Sequence, residues 1–180
     1  MSFDLIAFQY IHGFAGASSL LDIAGIFFAT YLPYFILISV FLAFILEPDW
    51  RRRVYSILFI LLAIIFSRGF FVPLINVVFP RMRPFEALGF EPMTHAPQTP
   101  SFPSGHAAIF FSLATAVFFL RPKWGVAIGI ATFFIGVARV FSGVHWPTDI
   151  AGGILVGLIS GLLVSEMLSS FAPKKHSQAT

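Results

Sequence analysis

Long runs of apolar residues, each broken by at most one charge, leave this chain very few ways to fold. Residues 54–79 carry only Arg68, residues 124–141 only Arg139, and residues 150–171 only Glu166. A fourth run, 106–120, is shorter and extends naturally over Ser104 and Gly105. Crossing a bilayer takes about 20 apolar residues in a helix. With 58% hydrophobic and 11% charged residues, against roughly 25% charged in soluble domains, a core this small cannot hide the apolar surface, and lipid is its natural solvent.

Upstream, residues 18–45 are too long for one untilted span. Asp22 and Pro33 divide them, giving an expected span over 31–45 and a partly embedded or interfacial helix over 18–30. Residues 3–13 read as another short interfacial helix. The predicted fold class is therefore all-α, a polytopic transmembrane bundle of five spans, or six if 18–30 crosses. Residues 1–171 form one domain and 172–180 a cytoplasmic tail. The start, Met1-Ser2-Phe3-Asp4, lacks the basic opening of a secretory signal, so insertion is expected to use the first hydrophobic helices. The absence of cysteine excludes disulfides and thiolate metal sites.

Basic residues favour the cytoplasmic side. Arg51, Arg52 and Arg53, then Arg121 with Lys123, then Lys174 with Lys175 alternate correctly with the spans if all three groups lie inside. Residues 80–104 and the turn around His145 then share the outer face. Arg81, Arg83 and Arg139 break the rule there and call for a chemical reason. Glycines spaced by four, Gly125 with Gly129 and Gly153 with Gly157 and Gly161, are expected to let helices approach closely.

Three polar clusters interrupt the apolar chain on that face: Pro80-Arg81-Met82-Arg83-Pro84, Pro103-Ser104-Gly105-His106, and Arg139 with His145 and Asp149. Ser104 suits an N-cap, and free N–H groups at a helix start attract anions. Pro147 suits the first helical position, with Trp146 as cap. That puts Asp149 in the first turn, within reach of the His145 ring, where a carboxylate fixes the tautomer and supports an imidazolium. Guanidinium groups grip phosphate in a bidentate way. Two histidines can divide nucleophilic attack and proton donation. A phosphate ringed by arginine and helix N–H groups needs no metal.

These residues resemble the type 2 phosphatidic acid phosphatase family, which shares its site with the vanadium haloperoxidases. The family motifs are Lys-x6-Arg-Pro, Pro-Ser-Gly-His and Ser-Arg-x5-His-x3-Asp. Here they read Asn76-x6-Arg83-Pro84, Pro103 to His106 complete, and Ala138-Arg139-x5-His145-x3-Asp149. The resemblance covers residues 54–171. It implies that His145 is the nucleophile and forms a phosphohistidine, that Asp149 orients it, and that His106 protonates the leaving oxygen and then activates water. Arg83, Arg139, Ser104 and the Gly105 amide would hold the phosphate oxygens. Ala138 departs from a serine and Asn76 from the lysine, removing one positive charge, for which Arg81 and Arg68 are the candidate replacements. Arg68 on its own residues reads as a structural partner within a span. Glu166 is expected to be structural, His95, Glu86 and Glu91 to be solvated loop residues, and His12 and His176 to be exposed.

Arg-Met-Arg-Pro-Phe followed by a loop and Ser-Phe-Pro-Ser-Gly-His resembles small bacterial members that hydrolyse undecaprenyl diphosphate. A phosphatidylglycerophosphate or phosphatidic acid phosphatase is the alternative, and a non-catalytic lipid-binding membrane protein the different class. A transporter would favour polar groups near mid-membrane, whereas these sit at one end of the spans. The implied partners are a lipid phosphate substrate and the bilayer of a bacterial plasma membrane, with the site facing outside. No cofactor, metal or nucleic acid is expected, and the sequence does not set the oligomeric state.

Overall fold

The computed structural model describes residues 3–96 and 98–173, and among these all regular structure is helical. The helices are α1 Phe3–His12, α2 Ser19–Ile45, α3 Trp50–Val78, the short α4 Pro84–Leu88, α5 Gly105–Leu120, α6 Pro122–Phe141 and α7 Pro147–Phe171, the last closing on a 3₁₀ turn at Ser169–Phe171. α2, α3, α6 and α7 are long and apolar enough to cross a membrane. Lys174, Lys175 and His176 lie outside the described residues.

α5 is the axis of the bundle. Ala107, Ala108, Phe110, Ser112, Leu113, Ala114, Thr115, Ala116 and Val117 are all buried, so every side of it is covered, as expected of a helix apolar all round. α6, α7 and α3 pack on it, and α2 closes the far side of α6. At 16 residues it spans only about 24 Å. The outer helices present Phe35, Phe41, Leu61, Ile65, Ile130, Phe133, Leu155 and Leu162 on their exposed faces, a girdle that suits lipid rather than water.

Small residues set how closely α7 lies on α5. A Cβ on Gly153 would meet Ser104 O at 2.6 Å, and one on Gly157 would meet Ala108 O at 2.7 Å. The spacing of four thus strips side chains from the stripe of α7 that faces α5. Gly125 does the same where α6 turns against Phe118.

The expected division of residues 18–45 does not occur. α2 is one helix of 27 residues, continuous through Pro33. The reason is a widened turn at Phe27–Tyr31, where the Leu32 N–H reaches back to Phe27 O. Proline lacks an N–H, and its ring clashes with the carbonyl four residues back in a regular helix. The π-type turn carries an extra residue and relieves that conflict. The same device recurs in α3, where Ile65–Phe71 is π-helical, the Val72 N–H bonds Ser67 O, and Pro73 follows. Arg68 sits inside this second widened turn.

Helix ends follow the sequence closely. Ser104 caps α5, its Oγ accepting the Ala107 N–H at 3.4 Å. Trp146 caps α7 with Pro147 at the first position, and Asp149 accepts the Trp146 N–H at 2.8 Å. At the opposite end of the bundle, Glu47 gathers basic residues from the start of α3 and from the α5–α6 junction. Its carboxylate accepts from Arg121 at 2.6 Å and its carbonyl from Arg53 at 2.7 Å, and Arg52 and Glu166 line the cavity beside it. Two of the three basic groups therefore meet at the end remote from His145.

Candidate active site

Four chain segments converge where α5 and α7 begin and α6 ends. The start of α5 brings Gly105 and His106, the end of α6 brings Arg139, and the turn into α7 brings His145. The segment before α4 brings Arg83. Together with Arg68, Asn76, Thr99 and Pro103 they line a cavity of about 100 Å³. Pockets that enclose a drug-sized ligand run to roughly 300–1,000 Å³, so this one suits a headgroup phosphate and leaves a lipid tail outside.

His145 is buried and pinned from two sides. Its Nδ1 faces Asp149 Oδ2 at 3.4 Å, and its Nε2 lies 3.4 Å from Arg83 Nη1. An ionised carboxylate only accepts, so Nδ1 carries the proton and the lone pair lies on Nε2, facing the Arg83 guanidinium at the cavity wall. Burial pushes the ring down to about 4. The Asp149 hydrogen bond works against that shift, while Arg139 and Arg83 add to it. The ring is neutral at ordinary pH.

Arg83 is held by the backbone. Its Nη1 donates to Val144 O at 2.9 Å and its Nε to Thr99 O at 3.1 Å. Burial lowers its pKa, and Asp149 and Glu86 oppose the shift. Glu86 also caps α4 by accepting the Arg83 N–H at 2.9 Å. Arg139 is 4% exposed, and its Nε is a buried donor with no hydrogen-bond partner. A charged donor left unpaired in the interior costs a few kcal/mol, and a ligand oxygen would remove that cost.

Several placements differ from the expectations. Arg68, read as a structural partner, lines the cavity. Its Nε is so near the start of α5 that a Cβ on Gly105 would meet it at 2.8 Å. Arg81 does not line it. Its guanidinium reaches Asp149 Oδ1 at 2.9 Å, on the far side of the carboxylate from His145, so of the two candidates to restore the missing charge only Arg68 is at the cavity wall. Asn76 is at the wall but donates to Phe102 O at 2.7 Å. Ser104 Oγ is taken up by its own helix cap, and the residue lies behind the wall, its N–H donating to Asp149 O at 2.9 Å. His12, expected to be exposed, is half-buried, with Nδ1 at 2.8 Å from Phe141 O.

Asp4 and Thr148 were not legible as site neighbours. Asp4 accepts from the Thr148 N–H at 3.0 Å, from the Thr148 hydroxyl at 2.7 Å and from Arg81. Burial works against its charge, but the bonds from Thr148 and Arg81 prevail and hold its carboxyl below the usual range. The one available signal was an acidic residue at the start of a largely apolar first helix.

Residues 56–171 match the PAP2 superfamily. The chain belongs to that superfamily. It is a multi-pass membrane lipid phosphatase, a hydrolase, and the fold class expected from its apolar runs holds. Among PAP2 relatives, the bacitracin transport permease protein BcrC of Bacillus licheniformis is 28% identical over 161 residues, covering 88% of this chain and 77% of that one. The undecaprenyl-diphosphatase BcrC of Bacillus subtilis is 25% identical over 169 residues, covering 91% and 85%. The crystal structure of Aquifex aeolicus LpxE superposes with a TM-score of 0.73 at 26% identity, covering 92% of this chain and 96% of that one.

Proposed function

We propose that this PAP2 enzyme hydrolyses undecaprenyl diphosphate to undecaprenyl phosphate through a phosphohistidine on His145. The observation that carries the chemistry is the buried, unpartnered Nε of Arg139 in a small cavity shared with two imidazoles and two further guanidiniums. Such a cavity favours a multiply charged anion over any neutral group. The choice of lipid rests on the name of the Bacillus subtilis relative and its coverage of most of both chains.

In this reading Arg83, Arg139 and Arg68 and the Gly105 amide grip the oxygens of the terminal phosphate. His145 Nε2 attacks phosphorus, and the bond to the bridging oxygen breaks. His106 gives that oxygen a proton, releasing the lipid monophosphate. Asp149 stabilises the imidazolium as it forms. Neutral His106 then takes a proton from water, which attacks the phosphohistidine and frees inorganic phosphate with His145 restored. Three guanidiniums supply the positive charge that a metal provides in other phosphoryl transfers, so the reaction is metal-independent. Ser104 serves the site by capping α5 and so fixing the Gly105 amide. Residues 1–171 act as one catalytic domain, with the remainder a tail. The enzyme lies in a bacterial plasma membrane with this end outward.

Because the cavity admits a headgroup alone, a monophosphate lipid such as phosphatidylglycerophosphate or phosphatidic acid is the second reading. Phosphate release by detergent-solubilised protein decides, with diphosphate and monophosphate lipids assayed side by side in EDTA. The expected result is fastest release from undecaprenyl diphosphate, unchanged by the chelator. Preference for a monophosphate lipid moves the assignment to the second reading. Loss in EDTA restored by a divalent ion overturns the metal-free mechanism.

A further inference from the structure

The two oxygens of Asp149 have separate partners. Oδ2 accepts the Trp146 N–H at 2.8 Å and faces His145. Oδ1 accepts Arg81 at 2.9 Å. Arg81 arrives on the extended segment before α4 and is itself held from behind by Asp4, at a sequence separation of 77. Thr148 closes the group, its hydroxyl accepting from Arg81 and donating to Asp4, both at 2.7 Å.

Asp4 belongs to a face of α1 that runs along the turn bearing His145. Asp4, Phe8 and His12 recur every four residues and so point the same way. Asp4 bonds Thr148, Phe8 packs at a tilt against Trp146 with ring centroids 5.1 Å apart, and His12 bonds Phe141 O. Trp146 is held in turn by its Nε1 donating to Met82 O at 3.0 Å, with Arg81 5.1 Å over its ring. The first helix is thus a splint on residues 141–148.

We infer that Asp4 is a positioning residue for the phosphatase reaction, acting through Arg81 on Asp149. The charge arithmetic gives the reason. One guanidinium stands between two carboxylates, so the group keeps one net negative charge, and Asp149 directs it at His145. Without the Asp4 carboxylate the positive charge of Arg81 rests on Asp149 alone. The pair is then neutral, and less attraction remains for the imidazolium that forms when Nε2 attacks. Arg81 also loses its second anchor and with it the angle at which it holds Asp149. Asp4 does not line the cavity, so its influence is expected on kcat rather than on binding. The inference rests on the reading of His145 as nucleophile.

The test is a double-mutant cycle on the purified full chain, with steady-state hydrolysis of a lipid diphosphate as the readout. Asp4→Asn keeps the shape and the Phe8 and His12 contacts. Its kcat is expected to fall about 10- to 100-fold, the scale of a slightly misplaced catalytic group, with KM within about twofold and little further loss in an Asp149→Asn background. Thr148→Val runs through the same cycle and carries the test if Asp4→Asn does not fold. Losses that multiply in the double variants indicate a structural role and overturn the inference, as does a kcat within twofold of wild type in the single ones. His145→Ala is assayed beside them. If it turns over normally, the reading of the site falls and the inference with it. If it is inactive while Asp4→Asn is normal, only the inference falls.

Discussion

His145 shows how one side chain takes its chemistry from its surroundings. Burial brings its pKa from the ordinary 6.5 to about 4, so the free enzyme's ring stays neutral at pH 5.5, where an exposed histidine is mostly protonated. Its contribution to stability follows the same sign. It is fully present above about pH 6.5 and is lost as pH falls toward 4, because the unfolded chain then binds the proton more readily. Nitrogen chemical shifts of the His145 ring at pH 5.5 should report the neutral tautomer with the proton on Nδ1, and a cationic ring would contradict the geometry. His145→Ala should abolish turnover in a protein that still inserts and folds, whereas Asp149→Asn should retain a little, because Asp149 orients and does not attack. At Arg68, replacement by glutamine should lower kcat/KM about tenfold, on the scale of roughly 1.4 kcal/mol for one charge-assisted contact. Unchanged kcat/KM would return Arg68 to the structural role its sequence position suggested. The positions of His106, Arg83, Arg139, His145 and Asp149 were legible because each lies in a short motif whose local geometry a cap or a proline dictates. The contact of Asp4 with Arg81 was not, because it depends on how α1 docks, and no local pattern encodes a contact across 77 positions.

Among the elements, boundaries were readable where chemistry marks them and misleading where two turns absorb the mark. Ser104 caps α5 as its type dictates, and Pro147 sets Trp146 at the cap of α7. Pro33 looked like a break, but a widened turn ahead of it carries α2 straight through. In α3 Arg68 sits within the same kind of turn and lines the cavity. The α5–α7 contact gives the clearest stability prediction at this scale. Gly157→Val would drive its Cβ into Ala108 O at 2.7 Å and into Phe111 Cβ at the same distance. Backbone cannot yield as a flexible side chain does, so the variant should lose about 1–3 kcal/mol from overpacking. Thermal unfolding in detergent measures it. Gly129→Ala, whose new Cβ would find its nearest neighbour, Ala114, only at 4.0 Å, should leave the melting temperature nearly unchanged. Equal effects at the two positions would contradict the packing argument.

For the whole molecule, the arrangement of charge along the bundle joins topology to substrate access. Arg52, Arg53 and Arg121 collect around Glu47 at one end, while Arg83, Arg139 and Arg68 surround the cavity at the other. The first group is what the cytoplasmic side favours. In the proposed reading the second is basic at the opposite end because Arg83, Arg139 and Arg68 serve the phosphate, so a plain count of basic residues by loop misleads there. If the Glu47 end is inside, the cavity opens toward the outer leaflet. A headgroup then enters it while the tail stays among lipids against the exposed faces of the helices. The native chain has no cysteine, so single cysteines report without competition. Glu91→Cys lies at an exposed position in the segment near the site, and Pro122→Cys at an exposed position near Arg121. In intact cells a membrane-impermeant thiol reagent should label the first and spare the second until the membrane is opened. Labelling of the second alone would put the cavity on the cytoplasmic side, and the substrate would then have to be a lipid phosphate presented from within the cell.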